Sequence, residues 1–306
     1  MSQVTECFNI RLYQTSSLQL NMNMAAFTPV KDIQCEKHNY SKMPIRIVAD
    51  PFLFVHNDRV YLFYEQQRLY HPGVIMMTSS KNMIDWTNPV MVLEEKCHLS
   101  FPFVFQENQD IYMIPETSEL GEIRLYKAYD DSLENFVYVR SIGIPSEDAD
   151  NLNFTDTCVF KDSTTYYLFT STENKGNYQQ HLFYAEKLEG PYLKHPCSPI
   201  AQNNKVGRNG GSILRIDNKL IRVTQDCVMG YGENIHLLQI EELTKEQYSE
   251  HIILENMFSR NYGFYLKGGH QFNAVNYNGK TIIATDAKEY HRYFVERILH
   301  KIGILK

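Results

Sequence analysis

The sequence predicts an all-β chain folded as a five-bladed β-propeller with a short C-terminal helix, and three observations carry that expectation. A hairpin pattern of apolar strand, polar turn and apolar strand recurs five times along the chain. Its anchors Phe54, Phe105, Phe160, Arg215 and Val275 step by 51, 55, 55 and 60 residues. Helical periodicity is scarce between them, and most intervening runs have strand composition. Self-similarity at about 50 residues in strand-rich sequence points to blades of four strands each.

The copies run in order as "IVADPFLFVHNDRVYLFYEQQ" (47–67), "SFPFVFQENQDIYMIPET" (100–117), "TDTCVFKDSTTYYLFTST" (155–172), "GGSILRIDNKLIRVTQD" (210–226) and "HQFNAVNYNGKTIIATD" (270–286). The second strand starts six residues after the anchor in four copies and five after it in the fourth. Outer strands are expected in "GVIMMTS", "VMVLEE", "EIRLYKA", "FVYVRSI" and "HLFYAEK". Residues 1–46 are left to complete the ring or cover an end. A short helix is expected at Thr244, where Thr-x-x-Gln through Gln247 reads as a capping box, and a longer one over about 288–302. No linker or low-complexity tract interrupts the chain, so 1–306 reads as a single propeller domain.

Composition narrows the function classes. With 43% hydrophobic and 13% aromatic residues, the 306-residue chain has the material for a substantial core. A formal charge of −6 gives no whole-protein reason to expect a nucleic-acid partner. The N-terminus has no basic region followed by an apolar stretch, and no run of about 18 apolar residues occurs. A cytoplasmic location without a transmembrane segment is therefore expected. The six cysteines are scattered without a C-x-x-C pair, so they are expected as reduced thiols, neither a disulfide frame nor a zinc site. No metal ligand set or phosphate-binding glycine loop is read from the sequence.

In a propeller the innermost strands converge on a central channel, so equivalent positions face one another. Four residues before each anchor stand Asp50, Phe101, Asp156, Gly211 and Gln271. Near the ends of the second strands stand Glu65, Glu116, Ser171, Gln225 and Asp286. Facing carboxylates are the raw material of acid–base chemistry on glycosidic bonds, and an inverting glycosidase holds its pair roughly 6.5–9.5 Å apart. The alternative is that aspartates at strand starts cap backbone amides and bind nothing.

"ADPFLF…YLFYE", the "DTCVF…YYLFTST" copy and "LEGPYLKHP" resemble the five-bladed glycosidases of the arabinanase and β-xylosidase type. The ordered series "IYMIPET…GEIRLYKA", "FTDTCVF", "LFYAEKLEGPYLKHPCSPI", "GRNGGSI", "LIRVTQDC…YGENIHLLQIEELTKEQY" and "GGH" resembles the N-terminal domain of plant glucosamine inositolphosphorylceramide transferases and its bacterial surface-polysaccharide-locus homologues. That likeness covers about residues 45–286. The glycosidase resemblance implies Asp50 as general base and Asp156 as the aspartate that tunes and orients. The glutamate acid such enzymes carry at the start of the fourth blade is missing here, where the chain reads Gly207-Arg208-Asn209-Gly210-Gly211. Glu116 or Asp226 is left as the substitute, and Arg208 suggests an anion bound at the channel mouth. In such propellers a histidine at the position of His270 helps hold a central ion or water cluster, which makes a structural cation a candidate rather than an expected cofactor.

Gln225 and Asp226 either close a loop or contact sugar hydroxyls, and Glu65 joins them among the substrate-binding candidates. His195, in "KHPCSP", is expected to order a turn, and Trp86 to pack an outer strand. Tyr290, Phe294, Ile298 and Ile302 fall at helical i, i+4 spacing, which predicts a helix packed on the propeller or, alternatively, a dimer or membrane-surface contact. The leading expectation is a carbohydrate-active propeller that binds a glycan, glycolipid or sugar-phosphate. Asp50, Asp156 and Glu116 would form its catalytic centre. A non-catalytic glycan-binding or scaffolding module and a sugar transferase remain the alternatives.

Overall fold

The computed structural model describes residues 4–19, 24, 27–145, 153–261 and 263–305. They form a strand-dominated molecule. Strands β1 (Thr5–Thr15) and β2 (Thr28–Ile33) precede the first hairpin. The meander β3 (Ile45–His56), β4 (Arg59–Arg68), β5 (Gly73–Ser80) and β6 (Val90–Leu93) follows. Next come β7 (Ser100–Glu107), β8 (Asp110–Glu116), β9 (Arg124–Ala128) and β10 (Phe136–Ser141), which form a four-stranded sheet. In the third group β11 (Thr155–Asp162), β12 (Thr165–Asn174) and β13 (Asn177–Ala185) are flanked by the short strands β14 (Leu193–Lys194) and β15 (Ala201–Gln202). The fourth is β16 (Leu214–Ile216), β17 (Lys219–Asp226), β18 (Asn234–Leu243) and β19 (Tyr248–Leu254). Finally β20 (Phe272–Tyr277) and β21 (Lys280–His291) lead to helix α1 (Phe294–Lys301).

Two antiparallel groups share the largest sheet. β1 pairs with β21 over eleven residues, from Thr5 opposite His291 to Thr15 opposite Thr281, and β2 adds to its other edge. A single parallel bridge, Phe8 to Ile47, links this group to β3. The chain's first strand is thus built into the sheet formed by its last hairpin.

Turn chemistry explains the hairpin register. Asn57-Asp58, Asp217-Asn218 and Asn278-Gly279 all have positive φ at both residues. This is the geometry of a two-residue type I′ turn, and Asn, Asp and Gly tolerate it. Second strands are buried on both faces, as in β12, where Thr165 to Thr172 are all buried. Outermost strands such as β10 are largely exposed, with only Phe136 fully buried. Continuous apolar runs in the second strands therefore reflect packing between neighbouring sheets.

Several expectations are corrected. Thr244 does not open a helix: its hydroxyl accepts the Gln247 amide at 2.9 Å, and its own amide donates to the Gln247 carbonyl at 3.0 Å, which closes the β18–β19 turn. The capping pattern served a tight turn because no apolar-periodic run follows it. The terminal helix is confined to Phe294–Lys301, since β21 continues to His291 alongside β1. Its packing face is also different. Phe294, Ile298 and Ile302 are 61%, 43% and 63% exposed, whereas Glu296 is buried and its carboxylate meets His38 at 3.0 Å. The expected strand-turn role of His195 is seen: its Nδ1 accepts the Cys197 amide at 3.1 Å.

The β1–β21 seam should bear on the stability of the whole molecule. Leu12, fully buried opposite Ala284, is expected to cost about 2–5 kcal/mol as Leu12→Ala. Val137→Ala on exposed β10 should cost less than about 0.5 kcal/mol. Urea midpoints at constant m-value measure both, and equal effects would contradict the seam's role.

Candidate functional site

The aspartate at the start of the first hairpin is placed by a β-bulge. Pairing of β3 with β4 skips from Ala49 to Phe52, leaving Asp50 and Pro51 out of register. The same shift falls between Ser100 and Phe103 and between Thr155 and Cys158. Asp50, Phe101 and Asp156 occupy the left-handed region at φ 51°, 44° and 50°. Asp tolerates that region, whereas Phe rarely enters it, so the surroundings must hold Phe101 there. Bulges re-aim the side chain at the strand end, and here they turn two aspartates inward.

Hydrogen bonds at these strand starts run in a cycle. Asp50 Oδ2 accepts the Phe101 amide at 3.0 Å. Glu116 Oε2 accepts the Asp156 amide at 3.3 Å. Asn209 Nδ2 donates to the Asp156 carbonyl at 2.7 Å. The Phe272 amide donates to the Gly210 carbonyl at 2.8 Å. The Asp50 amide returns to Asp286 Oδ2 at 3.2 Å, and the Leu53 amide to Asn273 Oδ1 at 2.9 Å. Gly210 and Gly211 permit the approach in the fourth group, where a Cβ on Gly211 would stand 2.2 Å from the Phe272 carbonyl oxygen.

Beside this cycle lies a cavity of about 260 Å³. Asp50, Glu65, Glu116, Arg208 and His270 line it together, with Glu6, Phe8, Arg46, His98 and Tyr231 among the other lining residues. Burial drives the Asp50 carboxyl up from 3.8 to about 6, the His270 cation opposing and the charges of Asp286 and Asp156 adding. Glu65 is pushed well above the usual carboxylate range by burial and then by the Asp50 charge. His98 Nδ1 accepts the Gly73 amide at 2.9 Å, so a neutral ring carries its proton on Nε2, 3.3 Å from Glu65 Oε1. Burial works against the His270 cation, but the charges of Asp286 and Asp50 outweigh it and raise that imidazole. Its ring stacks on Phe8 at 4.4 Å and meets Tyr231 edge-on at 5.0 Å.

Asp156 sits behind the cavity. Its Oδ2 accepts Arg208 Nε at 2.5 Å and Gln225 Nε2 at 3.3 Å. Burial again comes first in raising it to about 6, with Arg208 opposing and Glu116 adding. The Arg208 guanidinium lies between the rings of Tyr178 and Tyr231, at 5.1 and 4.9 Å. The anion expected at Arg208 is thus supplied within the chain, by Asp156. Asp226 goes elsewhere: it faces His236 Nε2 at 3.5 Å and caps the Val228 amide at 2.9 Å, the loop-closing role. Glu116, besides the Asp156 amide, accepts the Ser118 hydroxyl at 2.8 Å.

Asp286 is the main residue the site reading left out. Its carboxylate accepts the His270 and Gln271 amides at 2.8 and 3.1 Å and lies 2.6 Å from His270 Nδ1. It occupies the second-strand position of Glu65 and Glu116, so the repeat register carried a signal for it. Phe8, Tyr231 and Arg46 had none, because their positions fall outside the repeated hairpins. Asp50, His270 and Asp286 each offer a donor atom within 4.8 Å of the others. Two carboxylates and an imidazole fit a small cation.

A family model described as glucosamine inositolphosphorylceramide transferase 1, N-terminal, matches residues 8–284. The glucosamine inositolphosphorylceramide transferase 1 of Arabidopsis thaliana is 31% identical over 255 residues, 79% of this chain and 32% of that protein. That of Oryza sativa subsp. japonica is 31% identical over 226 residues, 71% of this chain and 29% of its own length. The chain therefore spans about a third of these relatives. Among solved structures, the catalytic domain of the Coprinopsis cinerea GH62 α-L-arabinofuranosidase is similar, with a TM-score of 0.58 and 12% identity over 82% of this chain and 96% of that one. The Bacteroides ovatus xyloglucan-locus GH43B protein has a TM-score of 0.56 and 14% identity over 80% of this chain and 51% of that one. The fold is that of these glycosidases.

Asp50 and Asp156 hold protons more tightly folded than unfolded. Their contribution to stability is full below about pH 4 and is lost as pH rises through about 6. Asp50→Asn removes one share of that loss while keeping an acceptor for the Phe101 amide. Its urea midpoint relative to wild type should rise between pH 4 and 6 and stay level above. A flat difference would show that Asp50 is not protonated in this window.

Proposed function

As the chain belongs to the family of the N-terminal region of glucosamine inositolphosphorylceramide transferase 1, we propose that it is carbohydrate-active and seats one sugar unit of a glycolipid or sugar-phosphate in its acidic cavity. The observation that carries this reading is the convergence of Asp50, Glu65 and Glu116 on one cavity walled by Phe8 and Tyr231. Carboxylates accept sugar hydroxyls, and the Phe8 and Tyr231 rings, packed on His270 and Arg208, hold the wall that presents them. At about 260 Å³ the cavity suits a single ring rather than a run of polymer. The cyclic hydrogen bonds and the β1–β21 pairing support a five-bladed ring around it. The names of the relatives favour an inositol-phosphate glycolipid as the source of the sugar.

Environments that push two carboxyls to different pKa values assign an acid and a base. Near neutral pH Asp50 is mostly ionised and suited to take a proton from water or a sugar hydroxyl. Burial and the Asp50 charge favour the protonated form of Glu65, which suits it to give a proton to a departing oxygen. Asp156, held by Arg208, orients the wall behind them. A binding role without turnover is the second reading, favoured by the absence of a carboxylate at 207–211 and by the neutralised Asp156. The location remains proposed as cytoplasmic. No helix among the described residues is long and apolar enough to cross a membrane. The exposed apolar side of α1 is proposed as the contact with a lipid surface carrying the glycolipid.

Monosaccharides, inositol-phosphate glycans and nucleotide sugars should be screened for binding and turnover with wild type and Asp50→Asn. The expected result is binding within about tenfold of wild type and turnover reduced about 100-fold or more. Binding with no turnover in either protein selects the second reading, and saturable binding by no sugar would sink both. Independently, replacing Phe294 and Ile298 with Asp should reduce co-sedimentation with phosphatidylinositol-containing vesicles several-fold. Unchanged sedimentation would remove α1 from the reading.

A further inference from the structure

A second cluster lies apart from the cavity residues, at the seam where β1 meets β21. Cys7 on β1, Cys35 just beyond β2 and His291 at the end of β21 each offer a donor atom within 4.8 Å of the others. Glu289 joins them: its Oε1 accepts the Cys35 thiol at 3.0 Å and stands 2.7 Å from His291 Nε2. That imidazole nitrogen is buried and makes no aligned hydrogen bond. We propose that Cys7, Cys35, His291 and Glu289 form a zinc site that clasps the first strand to the last.

The donor set fits the metal. Two thiolates, an imidazole and a carboxylate are zinc ligands, and four protein donors make a closed, structural site. With Zn–S near 2.3 Å, tetrahedral geometry places two sulfurs roughly 3.8 Å apart, so the donors of Cys7, Cys35 and His291 need a small contraction. The Glu289 oxygen, 2.7 Å from His291 Nε2, must instead open to about 3.3 Å to share the ion. Outer contacts already hold the ligands. Asn9 Oδ1 accepts the Cys35 amide at 2.8 Å. The Tyr293 hydroxyl lies 3.4 Å from Cys7 Sγ and donates to the Glu36 carbonyl at 2.8 Å. Such partners orient first ligands and add to their affinity. Binding would release the thiol protons to solvent and free Glu289 Oε1 from the Cys35 thiol for the ion.

The sequence gives no spacing signal for this site. Its cysteines are 28 residues apart and its histidine lies at the opposite end of the chain, which is why reduced, unliganded thiols were expected there. The site's worth to the fold lies in that separation. Coordination would join three segments that otherwise meet through strand pairing and side-chain packing. The inference does not rest on the sugar-binding reading, since none of the four ligands lines the cavity.

The test uses the untagged full chain, stripped with a chelator under reducing conditions and then given Zn²⁺ or Co²⁺. The expected result is one zinc per chain by elemental analysis and a raised melting midpoint. Co²⁺ should give thiolate charge-transfer absorption with the visible bands of a tetrahedral ion. Cys35→Ser should cut the thiolate band at least about twofold, since only Cys7 remains, and loss of both cysteines should abolish it. Cys197→Ser, at an exposed cysteine, should leave it intact. Should Cys35→Ser fail to fold, His291→Gln and peptide-mapped protection of Cys7 and Cys35 from alkylation by zinc carry the decision. Absence of the cobalt band in wild type, zinc that survives loss of both cysteines, or a Cys7–Cys35 disulfide formed in preference to metal binding would each overturn the proposal.

Discussion

The hydrogen bonds at the starts of the first strands of the repeated hairpins are the constraint on which the rest depends. Each joins one antiparallel group to the next, and several use a carboxylate as acceptor for a backbone amide. An amide left bare inside would cost about as much as a lost hydrogen bond. Strand starts that converge cannot all pair in ordinary ladders, because each belongs to a different sheet. Bulges with left-handed residues at Asp50, Phe101 and Asp156 resolve the conflict by freeing those amides to point sideways. The same carboxylates thus serve as architecture and as site chemistry.

That double use explains the electrostatics. Burying several carboxylates together is expensive unless each is paired or protonated. Arg208 neutralises Asp156, His270 sits between Asp50 and Asp286, and burial beside the Asp50 charge shifts Glu65 toward its protonated form. The arrangement leaves chemically distinct acids side by side in one small cavity. At residues 207–211 the backbone is packed too closely for side chains at its glycines.

The β1–β21 seam has a comparable double role. It carries Phe8 onto the His270 ring and Glu6 to the cavity rim. On the same strand, Cys7 meets Cys35 and His291. Alternation along one strand therefore supplies residues to two separate clusters, as the period of two requires. The exposed side of α1 follows from the same seam: β21 extends to His291 and turns the helix so that Glu296, not Phe294 or Ile298, faces inward.

Much of the strand framework was legible in the sequence, because hairpin turns and apolar strands are local signals. The Asn-Asp, Asp-Asn and Asn-Gly tips, the repeat register and the inward positions of Asp50, Asp156, Glu65 and Glu116 all follow from residue type and spacing. Helix positions were read less well, since the Thr244 cap motif and the tail's i, i+4 periodicity each fit a competing local structure. Pairing between distant segments was beyond reach. Whether Arg208 met a ligand or Asp156, whether Asp226 faced the cavity or His236, and which cysteines became neighbours depend on contacts between residues tens to hundreds of positions apart. Sequence by itself determined the β-rich repeat and the aspartates that mark the starts of its hairpins. Only the tertiary structure decided which charges are shared, because that depends on where separate sheets come within a few ångströms of one another.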